Sequence, residues 1–294
     1  MQQRGAQDEL AGRFEAERGH LWRVAHRMLG SRTEADDAVQ EAWLRLGRAD
    51  AGEVENLAAW LRTVVSRICL DLLRSRTSRR EDPAGELLPD RAEDGPDPEQ
   101  ETVLVDSVGR ALLVVLDTLG PAERVAFVLH DLFAVPFDQI APIVDRSTVT
   151  TKKLASRARQ KVRGRSEVPA AELAVQRQVV EAFLAASRKG DFEALVTVLA
   201  PGVVRRADAA ALPAGAAPVA RGLDLVLRGV SAFGRRAAFA EPVLVDGVVG
   251  AVVAPYGRLS LVLTFRIEDG RIAEYEVIGD PERLRRLDLG VLDA

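Results

Sequence analysis

Apolar residues recur at intervals of three and four from residue 10 to residue 80. A first apolar face ends before Gly30, a second pattern starts at Thr33, and a third follows the polar loop at residues 47–56. Because such intervals place side chains on one face of a helix, the pattern predicts three amphipathic helices in succession.

The middle of the chain ends in a basic helix. An apolar run at 127–133 is interrupted by Pro136, residues 137–144 form a second short helix, and a helix capped by Ser147 and Thr148 extends to Arg165. Its apolar stripe consists of Leu154, Ala158 and Val162. Helix, tight turn and basic helix are the plan of a helix-turn-helix, whose last helix enters a DNA groove.

A solvated cationic helix in an ordinary bundle is the competing interpretation. No acid lies between Arg146 and Arg165, whereas solvated helices usually mix both signs of charge, so the DNA-binding interpretation is favoured. Two residues depart from the usual pattern. Pro142 removes a backbone donor from the first helix, and Asp145 occupies a turn where glycine is easier.

The last third of the chain has a different pattern. Helical periodicity at 171–189 gives way to apolar runs that alternate with polar residues, and Asp246-Gly247 and Asp269-Gly270 are hairpin signals between them. Helices followed by a curved antiparallel sheet predict an α+β cone.

Charge is strongly segregated although the net charge is only -4. Residues 59–80 contain six arginines and one acid, residues 146–165 contain eight basic residues and no acid, and residues 81–106 contain ten acids and one arginine. Two basic helices joined by an acidic linker predict two nucleic-acid contacts, with a segment between them that DNA repels.

The composition, 47% hydrophobic and 29% charged, is typical of a soluble globular protein. The sequence contains no apolar run long enough for a membrane span and no apolar core of a signal peptide near Met1, so we expect a cytoplasmic protein with no membrane partner. Cys69, the single cysteine, lies in an apolar helical run and is expected in the core. We expect no metal, no cofactor and no catalytic residues.

Two blocks carry a family resemblance. SRTEADDAVQEAWLRL followed by AAWLRTVVSRICLDLLRSRTSRR resembles sigma domain 2 of the extracytoplasmic-function (ECF) branch of the sigma-70 family, and residues 119–165 resemble sigma domain 4. The resemblance implies two all-α sigma domains at 8–80 and 107–165, joined by the acidic linker at 81–106. It also implies core RNA polymerase and promoter DNA, double- and single-stranded, as partners.

The resemblance assigns roles to residues of domain 2. One surface resembles the part that binds the β′ clamp of the polymerase: Asp36, Asp37, Gln40, Glu41 and Trp43. A second set resembles the element that melts the −10 promoter region and binds its unpaired bases: Asn56, Arg62, Arg67, Arg74 and Arg76. Trp60 is a candidate for base stacking, although a core position is the more common role of such a residue.

In domain 4, the resemblance implies that the apolar helices contact the β flap and that the basic helix reads the −35 element. Candidates for base contacts are Thr150, Lys153 and Gln160. Candidates for phosphate contacts are Lys152, Arg157, Arg159 and Arg163.

Residues 170–294 resemble a SnoaL-like, nuclear transport factor 2-like domain, and a sigma factor with this extension resembles the SigJ-like ECF subgroup. The subgroup's tail motif has its counterpart at residues 280–284, and the resemblance implies regulatory contacts at Asp280, Pro281 and Leu284. We expect this domain to control the sigma domains within the same chain, and a small ligand of the cone remains open.

Two other functions stay open from the sequence. One is a helix-turn-helix regulator with a ligand-binding domain, which leaves the DDAVQEAW block unexplained. The other is a fused small-molecule isomerase or cyclase that uses acids such as Asp208 or Asp224. All three histidines lie before residue 131, outside the domain that would carry that chemistry.

Overall fold

The computed structural model describes residues 2–48, 56–81, 107–213 and 215–292. Most of the acidic linker at 81–106, and positions 49–55 of the loop predicted at 47–56, lie outside the described residues.

Helices dominate the first two thirds of the described chain. In chain order they are α1 (Gln2–Leu29), α2 (Arg32–Leu46), α3 (Leu57–Glu81), α4 (Ser107–Leu116), α5 (Pro121–Phe127), α6 (Phe137–Val144), α7 (Thr148–Arg163), α8 (Ala170–Lys189), α9 (Phe192–Val198), α10 (Leu223–Ala237) and α11 (Pro281–Leu284). The helix α5 continues into a π-helical turn at Val128–Leu132, where the sequence predicts only an apolar run.

Within the described residues, strands occur only in the last third of the chain. They are β1 (Leu199–Ala207), β2 (Val219–Arg221), β3 (Ala240–Val245), β4 (Val248–Val253), β5 (Leu261–Glu268), β6 (Arg271–Ile278) and β7 (Leu289–Gly290). They form one sheet in the order β2-β1-β6-β5-β4-β3-β7.

The described chain divides into two compact units. The first combines the residues up to 81 with residues 119–159, and the second combines residues 107–118 with residues 160–292. The helix α4 and the last turn of α7 therefore belong to the same unit as the sheet.

The first unit is built on the α1–α3 bundle. Side chains predicted for its apolar faces are fully buried, among them Leu21, Met28, Leu46 and Leu61. Ser31 precedes α2 as its N-cap, and its hydroxyl accepts a hydrogen bond from the amide of Glu34 at 3.4 Å. Such a cap satisfies one of the four amides that the first helical turn leaves unpaired. The helices α5 and α6 pack on α3.

The second unit places α8, α9 and α10 on one face of the sheet, over a core that includes Phe183, Leu195, Val203 and Tyr275. The two predicted Asp-Gly turns are confirmed: Asp246 and Gly247 have φ of 49° and 84°, and Asp269 and Gly270 have φ of 50° and 72°. Two consecutive positive φ values are the geometry that a tight antiparallel hairpin requires.

The expected fold class is confirmed, with two helical regions followed by an α+β domain. One detail of the sheet was wrong. The sequence predicts an antiparallel sheet, but β1 runs parallel to β6. The chain between them carries α10 and two hairpins, and this long connection lets β6 return in the same direction beside β1.

Candidate nucleic-acid interface

The helix α7 has one buried side and one exposed side. Thr151, Ala155, Ala158 and Val162 are buried, which confirms the stripe at Ala158 and Val162, whereas Leu154 is half-buried. The hydroxyl of Ser147 accepts a hydrogen bond from the amide of Thr150 at 3.2 Å and so caps the helix. The opposite side is thereby fixed toward solvent.

Most of the predicted −35 contacts lie on that exposed side: Lys152, Lys153, Arg157, Gln160 and Arg163. In the part of the chain that the structure describes, none of these four cations has an ion pair with a carboxylate. Thr150 is half-buried, and its hydroxyl shares a hydrogen bond with Ser147 at 2.9 Å. Arg159 differs too, because its Nε lies 2.5 Å from Asp131 of the π-helical turn.

The turn before α7 accommodates both unusual residues. Asp145 takes the left-handed conformation with φ 55°, which a short polar side chain tolerates better than most. Pro142 lies inside α6, and its carbonyl oxygen accepts a hydrogen bond from Arg67 at 3.0 Å. The helix-turn-helix geometry therefore forms without glycine in the turn.

The predicted −10 arginines of α3 are engaged by protein groups. Arg62 donates to Oε1 of Gln139 at 2.7 Å, and Arg67 donates to Pro142 in the same helix α6. These contacts join α3 to the first helix of the helix-turn-helix within one compact unit.

The other −10 candidates have local roles. Arg76 donates to Glu34 and to the carbonyl of Leu29, which ties α3 to the α1–α2 junction. Arg74 is exposed and lies 3.6 Å from Asp71 one turn earlier. Asn56 caps α3 by accepting from the amide of Ala59 at 3.0 Å.

The predicted polymerase-binding surface lies on α2. Asp36, Asp37 and Gln40 are exposed, and Glu41 accepts from Arg45 at 2.8 Å. Trp43 is half-buried because its ring packs on Phe14 with centroids 4.8 Å apart. An acidic, exposed stripe beside a partly covered tryptophan is therefore available on this helix.

Two titratable groups of the first unit are buried and neutral. Burial, with the charges of Arg27 and Arg32, lowers the pKa of His26 to about 4, and its ring stacks on Trp22. Burial raises the pKa of the Cys69 thiol to about 12, so this residue is an inert core position, as expected. The described residues contain no cluster of three or more His, Cys, Asp or Glu that could hold a metal ion. None of their helices is long and apolar enough to cross a membrane.

The predicted regulatory tail is anchored inside the second unit. The carboxylate of Asp208 accepts from the amides of Gly279 and Asp280 at 3.0 Å, and Asp280 in turn caps α11 through the amide of Arg283. Pro281 is exposed and Leu284 is half-buried. The carboxylate of Asp208 is therefore committed to backbone amides, which leaves it poorly placed as a general base.

A contact that sequence reasoning missed joins α4 to the sheet. Arg110 of α4 and Glu241 of β3 are both buried, with Nε and Oε1 3.6 Å apart, and the guanidinium lies 5.6 Å from the centre of the Phe239 ring. The signal was present in the sequence, since one arginine and one glutamate interrupt the apolar segments VGRALLVVL and AEPVLV. Buried charges in a core are rarely left without a partner.

A second missed contact joins the end of α7 to β7. The amide of Val291 donates to the carbonyl of Val162 at 2.7 Å, and the backbones of Gly164 and Gly290 touch. A Cβ on Gly290 would lie 2.6 Å from the Cα of Gly164, so only glycine fits there. The second unit thus holds both α4 and the C-terminal end of the basic helix.

Two protein-family models match this chain. The family model for Sigma-70 region 2 matches residues 13–79, and the model for Sigma-70 region 4 matches residues 109–162. The matches to both regions, in this order along the chain, define the class of protein as a sigma-70-type transcription factor.

Relatives of nearly the same length are sigma factors of Mycobacterium tuberculosis. The probable ECF RNA polymerase sigma factor SigI (strain CDC 1551 / Oshkosh) is 37% identical over 96% of this chain and 98% of its own length. ECF RNA polymerase sigma factor SigJ (strain ATCC 25618 / H37Rv) is 36% identical over 92% of this chain and 91% of its own length. The crystal structure of SigJ matches with 34% identity, 93% of this chain, 97% of that chain and a TM-score of 0.45. The chain belongs to the ECF sigma factors of the sigma-70 family.

Proposed function

We propose that this protein directs core RNA polymerase to promoters through α2, α3 and α7, and that its C-terminal domain controls this activity within the same chain. The exposed cationic side of α7 supports the first part, because four cations on it have no partner among the described residues. The interpretation as a repressor leaves the exposed acids of α2 without a role, whereas a sigma factor needs such a polymerase-binding surface.

In this proposal, Asp36, Asp37 and Gln40 bind the β′ clamp, and the helices of region 4 bind the β flap. Lys153 and Gln160 read bases of the −35 element, while Lys152, Arg157 and Arg163 bind phosphates. On α3, Arg62 and Arg67 bind the unpaired −10 strand once they leave Gln139 and Pro142. This last step requires opening of the contact between α3 and α6.

Control by the C-terminal domain has one main support. The sheet unit holds region 4 at both of its ends, through the buried Arg110–Glu241 pair at α4 and through β7 at the end of α7. A domain that binds both ends of region 4 restricts the positions that α7 can take on DNA. Ligands or partners of this domain then act by their different affinity for the restricted and released forms.

The test is transcription by core RNA polymerase from the protein's own promoter with two glycine variants. Gly290→Ala puts a Cβ against the backbone of Gly164 and loosens β7 from α7, whereas Gly229→Ala in α10 meets nothing within 4 Å and is the matched control. We expect transcription with both forms and a higher rate with Gly290→Ala.

Truncation after Arg165 is less specific, since it also removes the partners of α4. Equal rates for Gly290→Ala and Gly229→Ala would argue against control through β7, and no polymerase-dependent transcription in any form would overturn the proposed function.

A further inference from the structure

An exposed apolar side chain lies among the cations of α7. Val149, in the first turn, is 65% exposed, the largest exposed fraction of any large hydrophobic residue that the structure describes. Lys152 and Lys153 follow it by three and four residues and are exposed as well, so the three side chains share one side of the helix. This is the side that the proposed function places against DNA.

Polar groups of the same turn are engaged within the helix itself. The hydroxyl of Thr150 shares a hydrogen bond with that of Ser147 at 2.9 Å, and the amide of Thr150 donates to the Ser147 hydroxyl at 3.2 Å. Thr151 is buried, and its hydroxyl donates to the carbonyl of Ser147 at 3.0 Å. At Val149, the turn therefore presents a pair of methyl groups to a partner.

Neither packing nor helix formation accounts for a valine at this position. The core side of α7 is made by Thr151, Ala155, Ala158 and Val162, and Val149 lies away from it. Valine also forms helices less well than alanine, lysine or arginine. In a helix, however, its χ1 angle is held in one rotamer, so its methyl groups keep a fixed direction and lose little entropy when a partner covers them.

The methyl group of thymine is the apolar feature of the major groove. Apolar side chains contact this group, lysine suits the acceptors of guanine, and residues near the N-terminus of a recognition helix lie closest to the bases. Lys153 lies four residues from Val149, about 6 Å along the helix axis, which is less than two base-pair steps of about 3.4 Å. The two side chains can therefore reach the same or neighbouring base pairs.

We propose that Val149 selects thymine in the −35 element by contact with the methyl group of the base, beside the base pair that Lys153 contacts. This inference rests on the proposed function and goes beyond it, because it names the base and the group that is read. Loss of one buried methyl contact weakens binding by about 4-fold, so the selection should have that size.

The test uses polymerase holoenzyme with the full chain and the protein's own promoter, in which each thymine of the −35 region is replaced in turn by deoxyuridine. Deoxyuridine lacks only the methyl group and keeps the base pair. Competition binding and transcription are measured for wild type, Val149→Ala and the matched control Val175→Ala, which removes the same groups from an exposed position of α8. We expect wild type and Val175→Ala to lose about 4-fold in affinity at one thymine or at two neighbouring thymines.

Val149→Ala separates a base contact from a general effect on the helix. This variant should bind the unmodified promoter about 4-fold more weakly than wild type and lose nothing further at the thymine concerned. Equal sensitivity of wild type and Val149→Ala to deoxyuridine at every thymine would overturn the proposal, and so would a wild type that tolerates every replacement. Either result leaves the proposed function intact if the holoenzyme still transcribes from the unmodified promoter. No polymerase-dependent transcription with wild type would overturn the proposed function, and this inference with it.

Discussion

The basic helices α3 and α7 each contain six basic residues, yet the described cationic side chains of the two helices have different surroundings. On α3, Arg62, Arg67 and Arg76 donate to acceptors of the protein itself. On α7, Lys152, Lys153 and Arg157 are exposed and form no ion pair with any described residue. The difference shows that positive charge along a helix does not by itself define a free DNA-binding surface.

Neighbouring elements cause the difference. The helix α3 is packed on several sides, by α1, α2, α5 and α6, so its long side chains reach carbonyls and amide side chains of those helices. The helix α7 buries only one stripe, which leaves its other side to solvent. In the proposed function, this difference predicts that α7 contacts double-stranded DNA before α3 is released.

The largest expected effect is a loss of affinity for the −35 duplex when cations of α7 are replaced. Replacing Lys152 and Arg157 together by alanine should weaken binding to a −35 duplex by roughly 50-fold at about 0.1 M salt and reduce the salt slope by about two, because each phosphate contact releases about one counterion. Fluorescence anisotropy over a salt series measures both quantities.

Arg159→Ala on the same helix is the internal control for that experiment. Asp131 already neutralises Arg159, so its loss should change the affinity much less. If Arg159→Ala lowered the affinity for the −35 duplex as much as Arg157→Ala alone, Asp131 would have to release Arg159 when DNA binds. The ion pair would then not distinguish Arg159 from the exposed cations of α7.

A smaller effect, a gain of affinity for the single-stranded −10 element, is expected when a contact between α3 and α6 is removed. Gln139→Leu removes the acceptor of Arg62, and the loss of one hydrogen bond of about 1 kcal/mol should favour the open form by up to about 5-fold. Binding of a single-stranded −10 oligonucleotide to polymerase holding this variant should rise by that factor. The double variant Gln139→Leu/Arg62→Ala should lose the gain, and a gain that persists would show that Arg62 is not the group released.

Sequence patterns predicted the local features of this molecule well. Helical spacing gave α1 to α3, and the Asp-Gly pairs gave the two hairpins, because backbone sterics act over a few residues. The exposed side of α7 also followed from periodicity alone. These features depend on neighbours along the chain.

Long-range partners were not predictable in the same way. The acceptors Gln139 and Pro142 lie more than 70 residues from Arg62 and Arg67, and nothing in the helical pattern of α3 distinguishes an arginine that binds protein from one that binds DNA. The placement of α4 with the sheet also depends on a pair, Arg110 and Glu241, that meets only after folding. A lone charged residue in an apolar segment predicts that it has a partner in the folded protein, but the sequence does not show which residue the partner is.

The smallest expected effect is a change of stability with pH. It should act on the α1–α3 bundle and not on the exposed side of α7. His26 is neutral in the folded bundle, with its pKa lowered from 6.5 to about 4, so the unfolded chain binds a proton that the folded chain does not. The stabilising contribution is therefore fully present above pH 6.5 and is lost as the pH falls toward 4. Lowering the pH from about 7.5 to about 6 should cost about 0.8 kcal/mol of unfolding free energy.

Urea unfolding of wild type and His26→Gln at those two pH values measures this cost. The glutamine variant should lose that part of the pH dependence, although the missing stacking on Trp22 lowers its stability at both values. Because acid then weakens the bundle that carries α3, whereas the exposed side of α7 lies outside that bundle, single-stranded −10 binding should be more sensitive to this pH change than −35 duplex binding. Equal sensitivity of the two would place the responsible group outside the α1–α3 bundle.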